Sequence, residues 1–206
     1  MSHMFVPGPV DVAPEVLEAQ TRPMLPHRSK DFEALFRSTE ERSKLLFATQ
    51  YRVFQAASSG SGMQEAGIRN FVQKDVLSCI NGAFAQRWYD VAINNGKTAD
   101  KLEVDYGEAI TPDLLRDALK KKHYEAVTIV HNETSTGVEN PLAELCKAVQ
   151  EVSPDTLILV DAVSSLSGVK IEMDKLGVDF MLTSSQKCLA LPPGLALAAA
   201  SDRAMA

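Results

Sequence analysis

Val127-Thr128-Ile129-Val130 and Leu157-Ile158-Leu159-Val160 are apolar, largely β-branched runs in which polar residues do not alternate with apolar ones. Strands of that composition are covered on both faces, the usual condition of a parallel sheet. The two runs belong to a longer alternation that starts at Tyr51. Candidate strands are Tyr51–Ala57, Asp75–Ile80, Lys101–Val104, Ala126–Val130, Thr156–Val160, Phe180–Thr183 and Leu195–Ala199. Between them, Met63–Val72, Ala83–Asn94, Pro112–Lys121 and Pro141–Val152 carry apolar residues at helical spacing. Thr111-Pro112 and Asn140-Pro141 each set a capping residue before a proline at the first helical position. Strands alternating with helices predict βαβ units, and so a three-layer α/β/α fold around a mostly parallel, seven-stranded sheet.

Ahead of Tyr51 the pattern changes. The segment from Pro7 to Arg28 holds five of the ten prolines and no convincing strand, so it is expected to wrap the outside of the domain or reach a partner. The chain therefore divides into an arm, residues 1–30, and an α/β body, residues 31–206. Its 206 residues are 45% hydrophobic and 23% charged, ordinary globular usage that argues against disorder. No apolar stretch approaches the roughly 20 residues of a membrane helix, and no signal-peptide pattern opens the chain. A cytoplasmic protein that does not contact membrane is expected. A net charge of −6 leaves no cationic excess for a phosphate backbone, which argues against nucleic acid. Cys79, Cys146 and Cys188 are odd in number and widely spaced, fitting neither disulfides nor a metal site. All three are expected in the core, and no metal is expected.

Four strand ends carry groups with chemical potential. Ser58-Ser59-Gly60-Ser61-Gly62-Met63 lies between a strand and a helix, where glycines allow a sharp turn and first-turn N–H groups make an anion seat. Asp161 closes the strand Leu157-Ile158-Leu159-Val160, where a carboxylate can meet a cation or a protonated ring. Lys187 follows Phe180–Thr183 through a polar turn, and an amine in such a cleft can attack carbonyls. His131-Asn132-Glu133-Thr134-Ser135-Thr136-Gly137 offers hydroxyls and amides after a fourth strand. Each alone reads as well as a turn, a cap or a surface charge. The set, anion seat, carboxylate, amine and hydroxyls in that order along one sheet, suits a phosphorylated aromatic aldehyde. The phosphate would lie on Ser61, Gly62 and the Met63 N–H, a pyridine nitrogen on Asp161, and the carbonyl on Lys187.

With Val6-Pro7-Gly8-Pro9-Val10, the run Asn81 to Arg87, Val160-Asp161-Ala162-Val163-Ser164, and Ser184-Ser185-Gln186-Lys187 followed by Pro192-Pro193-Gly194, the chain resembles class V aminotransferases of fold type I. The likeness is nearest to the alanine–glyoxylate and serine–pyruvate branch. The resemblance implies pyridoxal 5'-phosphate as cofactor, with Lys187 as Schiff-base lysine and proton shuttle and Asp161 on the ring nitrogen. Val163 and Phe84 would cover opposite ring faces. Thr134 would lie near the phenolic oxygen, and Gln186 and Ser61 at the phosphate. Trp88 is expected in the core. The implied reaction is ping-pong transamination from a small amino acid, serine or alanine, to a 2-oxo acid such as glyoxylate or pyruvate, in a homodimer. It further implies that residues 31–206 are an incomplete large domain and that the small C-terminal domain, with its substrate-carboxylate arginine, is absent. Arg22, Arg28 and Arg87 are weak substitutes for that arginine. A cysteine desulfurase or β-lyase on the same scaffold, or a non-catalytic module, stands as the alternative. Phe84 argues against the desulfurase, which usually stacks a histidine.

Overall fold

A computed structural model describes residues 3–206. The N-terminal segment contains a short helix α1 (Pro14–Ala19) and then α2 (Lys30–Phe47). The α/β body follows as β1 (Arg52–Ala57), α3 (Gly60–Phe71), β2 (Asp75–Ile80), α4 (Ala83–Asn94), β3 (Thr98–Glu103), α5 (Pro112–Leu119) and β4 (Ala126–Val130). A two-stranded hairpin, β5 (Asn132–Glu133) and β6 (Val138–Glu139), leads into α6 (Leu142–Val152) and β7 (Leu157–Asp161). The chain ends with α7 (Met173–Leu176), β8 (Phe180–Ser184), β9 (Leu195–Ala200) and α8 (Asp202–Met205).

The main sheet has seven strands in the order β1, β9, β8, β7, β4, β2, β3. From β8 to β3 all neighbours are parallel, while β9 runs against both β1 and β8. Alternation along each strand sorts side chains into two cores. Leu77, Val127, Ile129, Ile158 and Val160 face one side with Leu115, Leu145 and Val149 of α5 and α6. Val76, Ile80, Val130, Leu159 and Leu182 face the other with Ile68 and Trp88 of α3 and α4. Every residue of β4 and β8 is buried, as strands between two helix layers must be. Trp88 is in the core and donates its indole N–H to the Gln64 carbonyl at 3.0 Å.

Thr111 caps α5 as expected, its hydroxyl accepting from the Leu114 N–H at 3.3 Å. Asn140 does not cap α6. Its carboxamide is buried as a staple, donating to the Val130 carbonyl at 2.8 Å and accepting from the Ile110 N–H at 2.8 Å, and Pro141 takes the cap position without a side-chain bond. The 18-residue α2 appears where the sequence pattern indicated no element. Ser29 caps it, accepting from the Phe32 N–H at 3.2 Å, but only Ser43 and Phe47 along it are buried. Between residues 3 and 30 nothing is buried. The arm nevertheless returns to the body, since the Val10 N–H donates to the Gln186 carbonyl at 3.2 Å. Cys79 and Cys146 are buried, and burial pushes both thiols up to about 12. Cys188 is exposed rather than core, with its thiol 3.4 Å from the Ser164 carbonyl. No helix among the described residues is long and apolar enough to cross a membrane.

Candidate active site

The carboxyl ends of β1, β8, β7, β4 and β2 open on one edge of the sheet, where ligands of open α/β sheets bind. A cavity of about 250 Å³ lies there. Ser61, Phe84, Thr134, Asp161, Val163, Gln186 and Lys187 all line it, so seven of the nine residues singled out from sequence face one space. Their order across the sheet differs from the expected one. Because β8 lies between β9 and β7, the amine-bearing strand end stands between the anion seat and the carboxylate, and the hydroxyl loop at the end of β4 comes next beyond β7.

The anion seat is built by the start of α3. Ser59 caps the helix, accepting from the Gly62 N–H at 3.2 Å, and the Met63 N–H donates to the Ser59 carbonyl at 3.0 Å. Neither Gly62 nor Met63 lines the cavity, and the Met63 side chain is buried in the core below. The expectation that the Met63 N–H meets an anion is therefore corrected: that group is spent inside the helix. The first-turn N–H groups of Gly60 and Ser61 have no protein acceptor among the described residues. Beside them, the buried Ser184 hydroxyl has no hydrogen-bond partner. A Cβ on Gly60 would lie 2.7 Å from Val163 Cγ2, so only glycine lets the backbone come this near.

Asp161, 6% exposed, has a donor on each oxygen: the Val163 N–H on Oδ1 at 2.9 Å and the Gln64 amide on Oδ2 at 2.7 Å. Burial pushes its carboxyl up to about 6, against the pull of these two donors; Glu133 adds to the rise and Arg87 opposes it. Lys187 projects from the loop after β8 and donates to the Pro7 carbonyl at 3.1 Å. Gly8 lies against it so closely that a Cβ there would stand 2.4 Å from Lys187 Cδ.

Phe84 begins α4. Arg87, one turn later, lays its guanidinium 4.9 Å from the Phe84 ring centroid and donates to the Ser61 hydroxyl at 3.1 Å. It has no carboxylate partner among the described residues. Arg22 and Arg28 lie on the arm and do not line the cavity. The loop after β4 is held from beneath by Glu133, which is fully buried. Its Oε2 accepts from the Phe84 and Ala85 N–H groups at 3.1 and 2.9 Å, and its Oε1 from the Ser135 N–H and hydroxyl at 3.1 and 2.7 Å. One carboxylate thus ties the start of α4 to the Thr134 loop. Thr134 meets the Ser164 hydroxyl at 2.7 Å, linking that loop to the segment after β7. His131 is buried beside it, with Nδ1 2.9 Å from the Ser165 hydroxyl, and burial lowers its pKa.

The sequence pattern did not assign roles to Ser184, Gln64 and Glu133. Ser184 and Glu133 lie within the runs Ser184–Lys187 and His131–Gly137, but nothing in the pattern says that the Ser184 hydroxyl is unpartnered or that the Glu133 carboxylate is buried. Gln64 carries no local signal. Among the described residues no cluster of three or more His, Cys, Asp or Glu could hold a metal ion.

This donor set fits pyridoxal phosphate: unpaired N–H groups and a hydroxyl at a helix start for a phosphate, a buried carboxylate for a ring nitrogen, an amine for a carbonyl. Residues 19–206 match the family model for class V aminotransferases. The chain belongs to the class V aminotransferase family. An uncharacterized aminotransferase of Methanocaldococcus jannaschii is 38% identical, and the match covers 98% of this chain and 52% of that protein. A serine–glyoxylate aminotransferase of Methylorubrum extorquens is 33% identical over 99% of the chain and 52% of its own length. Among solved structures, an aspartate aminotransferase of Thermus thermophilus superposes with a TM-score of 0.93 at 33% identity, covering 99% of this chain and 58% of that one. The chain thus spans about half the length of the curated relatives it matches.

Proposed function

We propose that this class V family member is a pyridoxal-phosphate-dependent transaminase that moves an amino group from a small amino acid, serine or alanine, to a 2-oxo acid such as glyoxylate or pyruvate. The observation that carries the reading is the meeting of Lys187, Asp161 and the Gly60–Ser61 anion seat in one cavity. When bound, pyridoxal phosphate supplies an aldehyde that condenses with amines and a conjugated ring that takes up the electrons released as the substrate α-proton leaves. Lys187 Nζ would be the amine that holds the cofactor's carbonyl carbon and the base that takes up and returns the substrate α-proton. The Asp161 carboxylate keeps a proton on the ring nitrogen. Phe84 and Val163 cover the two ring faces and exclude water. The Gly60 and Ser61 N–H groups, the Ser184 hydroxyl and Gln186 hold the phosphate, and the Thr134 hydroxyl orients the phenolic oxygen.

The reading includes a cytoplasmic homodimer; the exposed Leu35, Phe36 and Leu45 of α2 supply apolar surface for such a seam. Against a desulfurase reading, Phe84 and not a histidine lines the cavity where we place the ring-stacking residue. Absorbance of the chain mixed with pyridoxal phosphate, followed by borohydride reduction and peptide mapping, tests the proposal. A visible band and a label on Lys187 are expected; a label on another lysine, or no band, overturns it.

A further inference from the structure

Gln64 stands one turn into α3, is 2% exposed and lines the cavity. Its carboxamide Nε2 is 2.7 Å from Asp161 Oδ2 and 3.5 Å from the Phe84 carbonyl. Both neighbours are acceptors, so the amide must turn its nitrogen to them, and its Oε1 is left buried without a partner. A buried amide oxygen with no donor is a cost, and the arrangement accepts it to keep Nε2 on the carboxylate. The backbone that carries this side chain is itself anchored, since the Trp88 indole N–H donates to the Gln64 carbonyl at 3.0 Å.

We propose that Gln64 is a positioning residue for Asp161, fixing the orientation of its carboxylate, favouring its ionised form, and tying it to the backbone of the ring-stacking residue Phe84. The role toward a cofactor ring rests on the transaminase reading; the effect on the carboxylate does not. Asp161 is buried by desolvating surroundings that push it up to about 6, and the Gln64 hydrogen bond is one of the forces opposing that rise. The charged groups around it are Glu133 from β5, which raises it, and Arg87 from α4, which lowers it, with Lys187 across the cavity after β8. None of these donates a hydrogen bond to the carboxylate, so among side chains Gln64 holds that role alone within the described residues.

The test is made on the cofactor-free protein, by carbon-13 NMR titration of the Asp161 carboxyl in the parent, in Gln64→Met and in Gln64→Glu. Losing one hydrogen bond to the buried carboxylate in Gln64→Met is expected to move the midpoint up by about one pH unit, a tenfold change in protonation. Gln64→Glu sets a second carboxyl against the first and is expected to move it further. A second measurement uses pyridoxal phosphate labelled with nitrogen-15 in the ring: the parent is expected to show a protonated nitrogen at neutral pH, and Gln64→Met a shift toward the unprotonated form. Midpoints unmoved in both variants would overturn the proposal. If the chain takes up no pyridoxal phosphate, the transaminase reading fails while the titration still decides the role of Gln64.

Discussion

Glu133 is a buried carboxylate with no cation bonded to it, and its replacement by glutamine pits two opposed costs against each other. The carboxylate accepts four hydrogen bonds, two from the start of α4 and two from Ser135. A glutamine can keep only one acceptor oxygen. With that oxygen toward α4, the Phe84 and Ala85 N–H groups stay bonded, the Ser135 hydroxyl can turn round to accept, and the Ser135 N–H is left facing an NH2. One buried, unsatisfied N–H costs about 1–3 kcal/mol, and turning two charge-assisted bonds into neutral ones costs roughly 1 kcal/mol each. Against this, glutamine buries no charge, and the charge of Glu133 is offset only by its donors and the positive end of α4. Because all four donors are in good geometry, the hydrogen-bond loss is expected to win, leaving a net destabilisation of about 3 kcal/mol. Urea unfolding reads it as a lower midpoint at unchanged slope, and hydrogen exchange at Phe84 and Ala85 reports whether the α4 start stays in place. A variant within about 1 kcal/mol of the parent, or more stable than it, would refute this reasoning and mean that desolvation of the charge dominates.

Two further outcomes follow from the site. Asp161 holds its proton to about 6 in the folded chain and releases it near 3.9 when unfolded. Its contribution to stability is thus full below about pH 4 and lost as pH rises through about 6; the Asp161→Asn variant should gain about 3 kcal/mol on the parent between pH 4 and pH 7, and a difference that stays flat in paired denaturant titrations would count against the buried carboxyl. Gly8→Ala would place a Cβ 2.4 Å from Lys187 Cδ at a φ of +136°, so the arm should lift from the site; exchange of the Val10 N–H should quicken at least tenfold, and unchanged protection would show that the arm adapts in place.

The sheet was legible because its signals are local. Two of the seven predicted strands match their observed bounds, Asp75–Ile80 and Ala126–Val130, and the other five differ only at their ends. Apolar runs covered on both faces and helices of moderate length leave little else for such segments to do. The site residues at strand ends were legible for the same reason: once β7 and β8 are placed, Asp161 and Lys187 come to one edge without further information. Misses arose where the deciding contact is distant or weak. The α2 segment is polar through its middle and buries almost nothing, so its helix rests on its Ser29 cap and its chain propensity rather than on a clear apolar stripe. Asn140 has the composition of a cap, but its carboxamide is claimed by Val130 and Ile110. The His131 to Gly137 run looked like a polar turn, whereas Glu133, paired in the β5–β6 hairpin, points into the protein.

The same distinction separates what the site contains from how it is tuned. Which groups reach the cavity depends on strand order at a coarse level, and swapping the expected positions of the lysine and aspartate strands did not remove either from it. The setting of Asp161 depends on finer matters: a glutamine 97 residues earlier in the chain donates to it, and a glutamate on the β5–β6 hairpin raises it. Neither carries a spacing or composition that marks it, because hydrogen-bond partners across packed elements are chosen by tertiary geometry and not by sequence neighbours. Phe84 joins both partners: its N–H is bonded to Glu133 and its carbonyl to Gln64. The Phe84 backbone and the Asp161 carboxylate are therefore linked through the Gln64 side chain. A change at Glu133 should be felt at Asp161 through the Phe84 backbone as well as through charge, so the two substitutions, Glu133→Gln and Gln64→Met, are expected to be non-additive in a double-mutant cycle.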